Sequence, residues 1–246
     1  KKEICSSVVR TDTEHRLYCF TNRGNCYKVD ADAVPDGKWR DNGAPLSKVF
    51  PGAGEDERVL YMLPIEDALP SGSMMFYTRQ GMVKKSEWKE LGVVKSAFQV
   101  CKVNDGDEII GVEPYCDGCS LMFVTEKGMC LNADMSDIPL QGRIAAGVKG
   151  IQLSDGDKCV LVKQVTQEGE IVVITNRGFG KRVICADIDV MGRYRKGVKI
   201  IDFGKTRPSN GDRIVFSSYV KEPYKIVIEE EDHYMMAFST EDVSIE

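Results

Sequence analysis

The sequence predicts an all-β chain: one domain over residues 1–246, made of about five blades with about four strands each. Two periodic markers and one absence lead there. The first marker is a short apolar run ending in Thr-x-x-Gly. It occurs as Leu17-Tyr-Cys-Phe before Thr21-Asn-Arg-Gly24 and as Met74-Met-Phe-Tyr before Thr78-Arg-Gln-Gly81. It returns as Leu121-Met-Phe-Val before Thr125-Glu-Lys-Gly128 and as Ile171-Val-Val-Ile before Thr175-Asn-Arg-Gly178. The glycines are 57, 47 and 50 residues apart. The second marker keeps the same beat: Glu57-Arg-Val-Leu, Asp107-Glu-Ile-Ile, Asp157-Lys-Cys-Val and Asp212-Arg-Ile-Val, in steps of 50, 50 and 55. The absence is of helical periodicity. The best helix candidate, Ser86-Glu-Trp-Lys-Glu-Leu91, supports one or two turns.

Each element follows in order. The apolar runs are short and rich in β-branched, aromatic and Met residues, the composition of strands. Thr-x-x-Gly then closes a tight hairpin loop whose Gly takes a positive φ without steric cost. The chain re-enters a strand as Cys26-Tyr-Lys-Val, Met82-Val-Lys-Lys, Met129-Cys-Leu-Asn and Phe179-Gly-Lys-Arg. The blades are thus anchored near 17–29, 74–85, 121–132 and 171–183. A fifth, decayed copy at 234–242 reads Tyr234-Met-Met-Ala-Phe238 before Ser239-Thr-Glu-Asp242. Pro51-Gly-Ala-Gly54 reads as a connection between blades. A small sheet cannot bury both faces alone, so repeated sheets stack on one another.

Composition limits the functions. The chain has 246 residues, 42% hydrophobic and 29% charged, which suits a packed core. No run of eighteen apolar residues exists, so no membrane-spanning helix is expected. The start, Lys1-Lys-Glu-Ile-Cys5, is neither a signal peptide nor an initiator Met, and the reading is of a piece cut from a longer protein. Nine scattered cysteines, several inside apolar runs, fit a reducing, cytoplasmic setting. The net charge of −5 argues against a uniformly basic nucleic-acid binder. The charge is nonetheless segregated. Residues 177–207 hold nine Lys/Arg against three Asp/Glu, and residues 221–246 hold two against eight. A local basic patch is what binds a polyanion.

The order of motifs resembles one family. Thr175-Asn-Arg-Gly-Phe-Gly-Lys-Arg182 is followed by Gly192-Arg-Tyr-Arg-Lys-Gly-Val-Lys-Ile200 and then Gly211-Asp-Arg-Ile-Val. The preceding copy has Thr125-Glu-Lys-Gly128, Gly142-Arg-Ile-Ala-Ala-Gly-Val-Lys-Gly-Ile151 and Gly156-Asp-Lys. This pattern, from about Arg16 to Phe238, is similar to the C-terminal domain of the A subunit of bacterial type IIA topoisomerases, DNA gyrase or topoisomerase IV. The resemblance implies a β-pinwheel, a propeller-like disc whose blades exchange strands and whose edge binds and bends or wraps double-stranded DNA. It implies no chemistry and no cofactor in this piece. In the intact enzyme the implied partners are two ATPase (B-type) subunits and a second A subunit. The gyrase heptapeptide Gln-Arg-Arg-Gly-Gly-Lys-Gly is absent. Its nearest echoes, Gln141-Gly-Arg-Ile-Ala-Ala-Gly147 and Met191-Gly-Arg-Tyr-Arg-Lys-Gly197, match at three places each. Either a blade carrying the box lies upstream, or the subunit lacks it, which favours topoisomerase IV or a divergent paralogue.

Matched basic positions are the candidate phosphate contacts. After or within the turns come Lys28, Lys84, Lys85, Arg177, Lys181 and Arg182. In the segments between blades come Arg143, Lys149, Arg193, Arg195, Lys196 and Lys199. Such contacts act by counterion release, with any sequence preference set by DNA deformability. The competing reading is a solvated surface that keeps a protein-interaction platform soluble, its acidic end facing a basic partner.

Other motifs carry less. Cys116-Asp-Gly-Cys119 lacks a second ligand pair for zinc and reads as a hairpin loop, with a thiol sensor as the alternative. His15 and His233 sit in polar turns with no nucleophile-elbow pattern. No phosphate-binding Gly loop is present. The acidic run Glu229-Glu-Glu-Asp232 reads as a loop, an electrostatic competitor for the basic patch, or a metal site. No metal or catalytic residue is assigned.

Overall fold

In the computed structural model, which describes residues 7–38, 40–203, 210–229 and 235–245, each Thr-x-x-Gly closes a hairpin in the same way. The Gly N–H donates to the Thr carbonyl at 3.1, 3.0, 3.1 and 2.9 Å for Gly24, Gly81, Gly128 and Gly178. Those glycines take φ of 75°, 77°, 82° and 77°. The buried Thr hydroxyl accepts the N–H of the first residue past the loop, at 3.1 Å for Thr78–Met82, 3.2 Å for Thr125–Met129 and 3.3 Å for Thr175–Phe179. Thr therefore supplies the side-chain bond, and Gly the left-handed residue, that a bulged hairpin loop needs.

The second marker clamps this loop from the next strand. The Asp107 carboxylate accepts the Gln80 N–H at 2.9 Å, and Asp157 accepts the Lys127 N–H at 3.1 Å. Where the loop reads Thr-Asn-Arg-Gly, the Asn amide does the same work in reverse. Asn22 accepts the Arg58 N–H at 2.8 Å, and Asn176 accepts the Asp212 N–H at 3.1 Å. Glu57 also accepts from Thr21, from Asn25 at 2.9 Å, from Tyr27 at 2.9 Å and from the Gly54 N–H at 3.2 Å. Burial alone would raise its pKa, but these donors outweigh burial and hold it below the usual carboxylate range.

The described strands are β1 (Arg16–Thr21), β2 (Asn25–Asp30), β3 (Val59–Ile65), β4 (Ser73–Thr78), β5 (Met82–Glu87), β6 (Ala97–Gln99), β7 (Ile109–Pro114), β8 (Ser120–Thr125), β9 (Met129–Ala133), β10 (Val148–Lys149), β11 (Cys159–Val165), β12 (Glu170–Thr175), β13 (Gly180–Ile184), β14 (Val190–Met191), β15 (Val198–Lys199), β16 (Ile214–Val220), β17 (Lys225–Glu229) and β18 (Met235–Ser239). They form five sheets, ordered β3-β1-β2-β6, β10-β5-β4-β7, β11-β8-β9-β14 with β15 also on β9, β13-β12-β16, and β17-β18. The all-β reading holds. The helical turn Trp88–Leu91 lies where the sequence allows one, and Leu46–Val49 adds a short α-helix that the sequence reading did not include.

The topology explains the repeat. The first strand of each hairpin pairs with a later strand, β3 on β1, β7 on β4, β11 on β8 and β16 on β12. The first three hairpins also receive a short strand from beyond the following hairpin: β6 on β2, β10 on β5, and β14 with β15 on β9. The exchanged strand covers the hairpin's second strand, so Cys26, Val83 and Cys130 are buried. The matching residue of β13, Gly180, is exposed, and among the described residues β13 receives only an isolated bridge from Ile245 to Arg182.

The fifth copy differs from the sequence reading. Met235–Ser239 is the second strand of its hairpin, paired with Lys225–Glu229, not the first. Ser239-Thr-Glu-Asp242 is a capped 3₁₀ turn rather than a hairpin loop: the Ser239 hydroxyl accepts the Glu241 N–H, and Asp242 accepts the Ser239 N–H at 2.8 Å. Asp in the place of Gly favours this cap over a left-handed loop. Residues 230–234, with His233 and most of the acidic run, lie outside the described residues.

The chain forms two compact units, residues 1–115 with 138–148, and residues 116–137 with 149–246. The first buries Phe20, Phe76, Trp88 and Phe98 with Met74 and Leu91, Phe20 meeting Phe76 and Trp88 edge-on. The second buries aliphatic residues of β8, β11, β12, β13 and β16, among them Val124, Ile171, Val173 and Ile214, with Cys130 of β9. Cys116-Asp-Gly-Cys119 is a turn between β7 and β8, but these strands belong to different sheets, so it is a connection between sheets and not the hairpin loop that the sequence reading expected. Its two cysteines are joined in a disulfide that the spacing alone did not assign. The six described free cysteines are buried, and burial pushes the Cys19 and Cys185 thiols up to about 12.

Candidate nucleic-acid interface

The exchanged strands are preceded by segments that align residue for residue at a spacing of 50. Gly92-Val-Val-Lys-Ser-Ala-Phe-Gln99 matches Gly142-Arg-Ile-Ala-Ala-Gly-Val-Lys149 and Gly192-Arg-Tyr-Arg-Lys-Gly-Val-Lys199. The structure shows why the Arg and the second Gly recur. Gly147 and Gly197 take φ of 94° and 75°. A Cβ on Gly147 would overlap the Val83 carbonyl, and one on Gly197 the Cys130 carbonyl, with the carbonyl carbon of Cys130 at 2.6 Å. Only Gly lets this segment lie against β5 or β9. The Arg braces the segment: Arg143 donates to the Gln99 carbonyl at 3.3 Å and Arg193 to the Lys149 carbonyl at 3.0 Å. Gln99 and Lys149 are themselves equivalent positions, so one structural contact repeats.

The twelve basic positions divide into two sets. Several are turned to structural work. Lys84 is 1% exposed, donates to the Val100 carbonyl and, at 2.6 Å, to the Arg143 carbonyl, and sits over the Phe76 ring. Burial pulls its pKa down. Lys28 donates to the Val93 carbonyl and lies 5.4 Å from the rings of Tyr18 and Phe98. Lys85 stands over the Tyr115 ring, 3.3 Å from its centre. Arg182 donates to the Val243 carbonyl at 2.6 Å, to the Glu241 carbonyl at 3.3 Å and to Glu170 at 3.0 Å. Arg193 also pairs with Asp137 at 2.9 Å. The expectation of phosphate contact fails for Lys84, because a side chain enclosed by two carbonyls and a ring does not reach solvent. Lys28 and Arg182 differ from Lys84 in being half-buried, and both also donate to backbone carbonyls of the fold.

The second set faces water. Arg195, Lys196 and Lys199 are exposed within one loop and short strand, and Lys149 is exposed beside them, 5.2 Å from the Tyr194 ring. Lys199 meets Asp202 at 3.1 Å, an exposed pair worth little. Arg177 is exposed at the β12–β13 turn, and Lys181 is half-buried on β13. The second unit therefore concentrates four exposed cations on Lys149 and the segment 195–199. Sequence reasoning located this segment but did not separate its outward residues from its braces. Tyr194, which it did not single out, lies among them.

Replacing Lys84 by Met should destabilise the chain by about 2–4 kcal/mol, because two buried carbonyls lose their donor. Urea unfolding measures this. A Lys149→Met change, at an exposed site, should shift stability by less than about 0.5 kcal/mol. Equal effects would mean that Lys84 is not a buried brace.

Among the described residues no three His, Cys, Asp or Glu side chains converge to hold a metal ion, and no helix is long and apolar enough to cross a membrane.

Comparison with known proteins agrees with the architecture. The family model described as DNA gyrase C-terminal domain, beta-propeller, matches residues 15–66, 120–166 and 169–219. The A subunit of DNA gyrase from Escherichia coli (strain K12) is 28% identical over 154 residues, 62% of this chain and 18% of that protein. The A subunit of DNA topoisomerase 4 from Bacillus subtilis (strain 168) is 30% identical over 144 residues, 58% of this chain and 18% of that protein. The matched part is thus under a fifth of the length of these curated relatives. The crystal structure of the C-terminal domain of DNA topoisomerase IV superposes with a TM-score of 0.86 at 28% identity, covering 95% of this chain and 72% of that one. The structure of a DNA gyrase A C-terminal domain, 20% identical with a TM-score of 0.71, shares the fold. With its hairpin loops, strand exchange and braced Gly-Arg segments accounted for, this chain belongs to the family of DNA gyrase C-terminal, beta-propeller domains.

Proposed function

We propose that this chain binds and bends duplex DNA as the C-terminal part of the A subunit of a type IIA topoisomerase, delivering the duplex to a catalytic core carried elsewhere in the enzyme. The observation that carries the reading is the set of exposed cations Lys149, Arg195, Lys196 and Lys199, raised on a segment whose own Arg and Gly are committed to holding it in place. A rigid mount with outward cations suits sequence-independent phosphate contact. In this reading the chain works without a cofactor and without chemistry of its own. Its partners are duplex DNA, two ATPase subunits and a second A subunit, in the bacterial cytoplasm at the nucleoid.

The test is fluorescence anisotropy of a labelled duplex across a salt series. Binding whose logarithm falls linearly with the logarithm of salt, with a slope of about −3.6 for four phosphate contacts, supports the reading. A closed-circle topology assay extends it. A linking-number shift of one sign would indicate chiral wrapping as in a gyrase role, and binding without a shift would indicate bending as in a topoisomerase IV role.

A second reading, a protein-interaction platform, rests on the exposed apolar side chains Val215, Phe216, Val227, Met235 and Met236 of β16–β18 and on the net charge of −5. Absence of duplex binding at any salt would favour it.

A further inference from the structure

Among the described residues Tyr194 is the one non-glycine with a positive φ, 58°. A left-handed backbone costs an aromatic residue roughly 1–2 kcal/mol in general, and such strain persists where something else requires the side chain. The backbone there is held on both sides. The Tyr194 N–H donates to the Gly150 carbonyl at 2.6 Å, and the next residue, Arg195, bridges Ile151 and accepts the Gln152 N–H at 3.0 Å. Burial does not explain the side chain, since Tyr194 is 44% exposed. The ring has Lys149 Nζ at 5.2 Å and is followed in sequence by the exposed Arg195 and Lys196.

The same position recurs. In the 50-residue frame Tyr194 corresponds to Ile144 and Val94 of the other unit, 68% and 100% exposed. Each copy thus raises one apolar side chain on the segment whose neighbours are braced to the sheet. A single exposed apolar residue is ordinary on a protein surface. It is the repetition at one register, together with the left-handed backbone at Tyr194, that points to a contact with a partner.

We propose that Tyr194 is an apolar contact to DNA, its ring pressed against sugars and partly between bases in the minor groove while Lys149, Arg195 and Lys196 hold the flanking phosphates. Cations beside an apolar wedge match the chemistry of proteins that bend duplexes from the minor groove, and they argue for a polyanion as occupant rather than an apolar protein face. Ile144 takes the same part on its own segment. Such a wedge favours easily unstacked pyrimidine–purine steps, which places a weak sequence preference in Tyr194 rather than in the cations.

This inference rests on the DNA-binding reading, and the two fail differently. Wild type, Tyr194→Phe, Tyr194→Ala and Tyr194→Gly are compared by anisotropy on a short duplex with a central TA step and on one without, across a salt series, with thermal melts of each protein. Tyr194→Ala is expected to bind the TA duplex roughly tenfold more weakly, with the salt slope unchanged and the TA preference lost, because stacking is not ionic. Tyr194→Phe should bind as wild type. Tyr194→Gly should bind as weakly as the Ala variant yet melt at or above the wild-type temperature, because Gly removes the backbone strain. If wild type does not bind duplex, the functional reading itself is lost. If wild type binds and Tyr194→Ala binds equally well, the wedge is wrong. A weaker Ala variant whose salt slope also drops would make Tyr194 a support for the neighbouring cations, which overturns the wedge as well.

Discussion

Gly197→Ala is expected to destabilise the second unit by about 3 kcal/mol or more, lowering its melting temperature by roughly 10 °C. Two costs add. At φ of 75° an L side chain sits in the left-handed region. The added Cβ would also overlap the Cys130 carbonyl and stand 2.9 Å from the Leu131 Cα, both parts of β9 backbone that cannot rotate aside. The segment 192–199 would lift from β9, taking the Val198–Cys130 pairing with it. Gly192→Ala is the internal control, since a Cβ there meets nothing within 4 Å. It should melt within a degree or two of wild type. Gly147→Ala should repeat the Gly197 effect in the first unit, where the obstacle is the Val83 carbonyl. Calorimetry on the three variants decides. If Gly197→Ala melts with Gly192→Ala, close packing on β9 is not what retains this glycine.

The triple variant Arg195→Gln, Lys196→Gln, Lys199→Gln is expected to lose duplex affinity by on the order of a hundredfold at low salt, and to flatten the salt dependence by about 0.9 for each phosphate contact removed. All three side chains face solvent, so folding should be unaffected. Arg193 is left intact because it pairs with Asp137 and holds the Lys149 carbonyl. Its replacement by Gln should lower stability more than it lowers the salt slope. Unchanged affinity in the triple variant, with wild type binding, would move the phosphate contacts to another part of the chain. Residual binding there should be sought first at Arg177, exposed on the β12–β13 turn.

Much of the architecture was readable because each marker encodes a local bond. Thr-x-x-Gly needs one hydroxyl and one left-handed residue, and both requirements sit within five residues. The paired Asp or Asn clamp joins each hairpin loop to the strand that pairs with that hairpin in the same sheet, at the regular spacing of the repeat. The fifth copy was misread where that local code changes: with Asp242 in place of Gly and Ser239 ahead of it, the segment caps a 3₁₀ turn and the hairpin shifts by one strand. The candidate site was legible as a basic segment but not residue by residue. Lys84 and Lys181 occupy the same place after their turns, yet Lys84 is enclosed by carbonyls of Val100 and Arg143 while Lys181 is only half-buried.

The sequence alone determined the all-β class, the repeat, the hairpin loops and the segment where positive charge gathers, because all of these depend on residue type at short or regular spacing. Only the tertiary structure decided which cations are braces and which are turned outward, and that Tyr194 stands in strained backbone among them. The physical reason is that an exchanged strand joins residues from successive repeats. A basic side chain beneath that strand finds carbonyl acceptors and is buried, one on its outer side finds water, and composition is identical in the two cases.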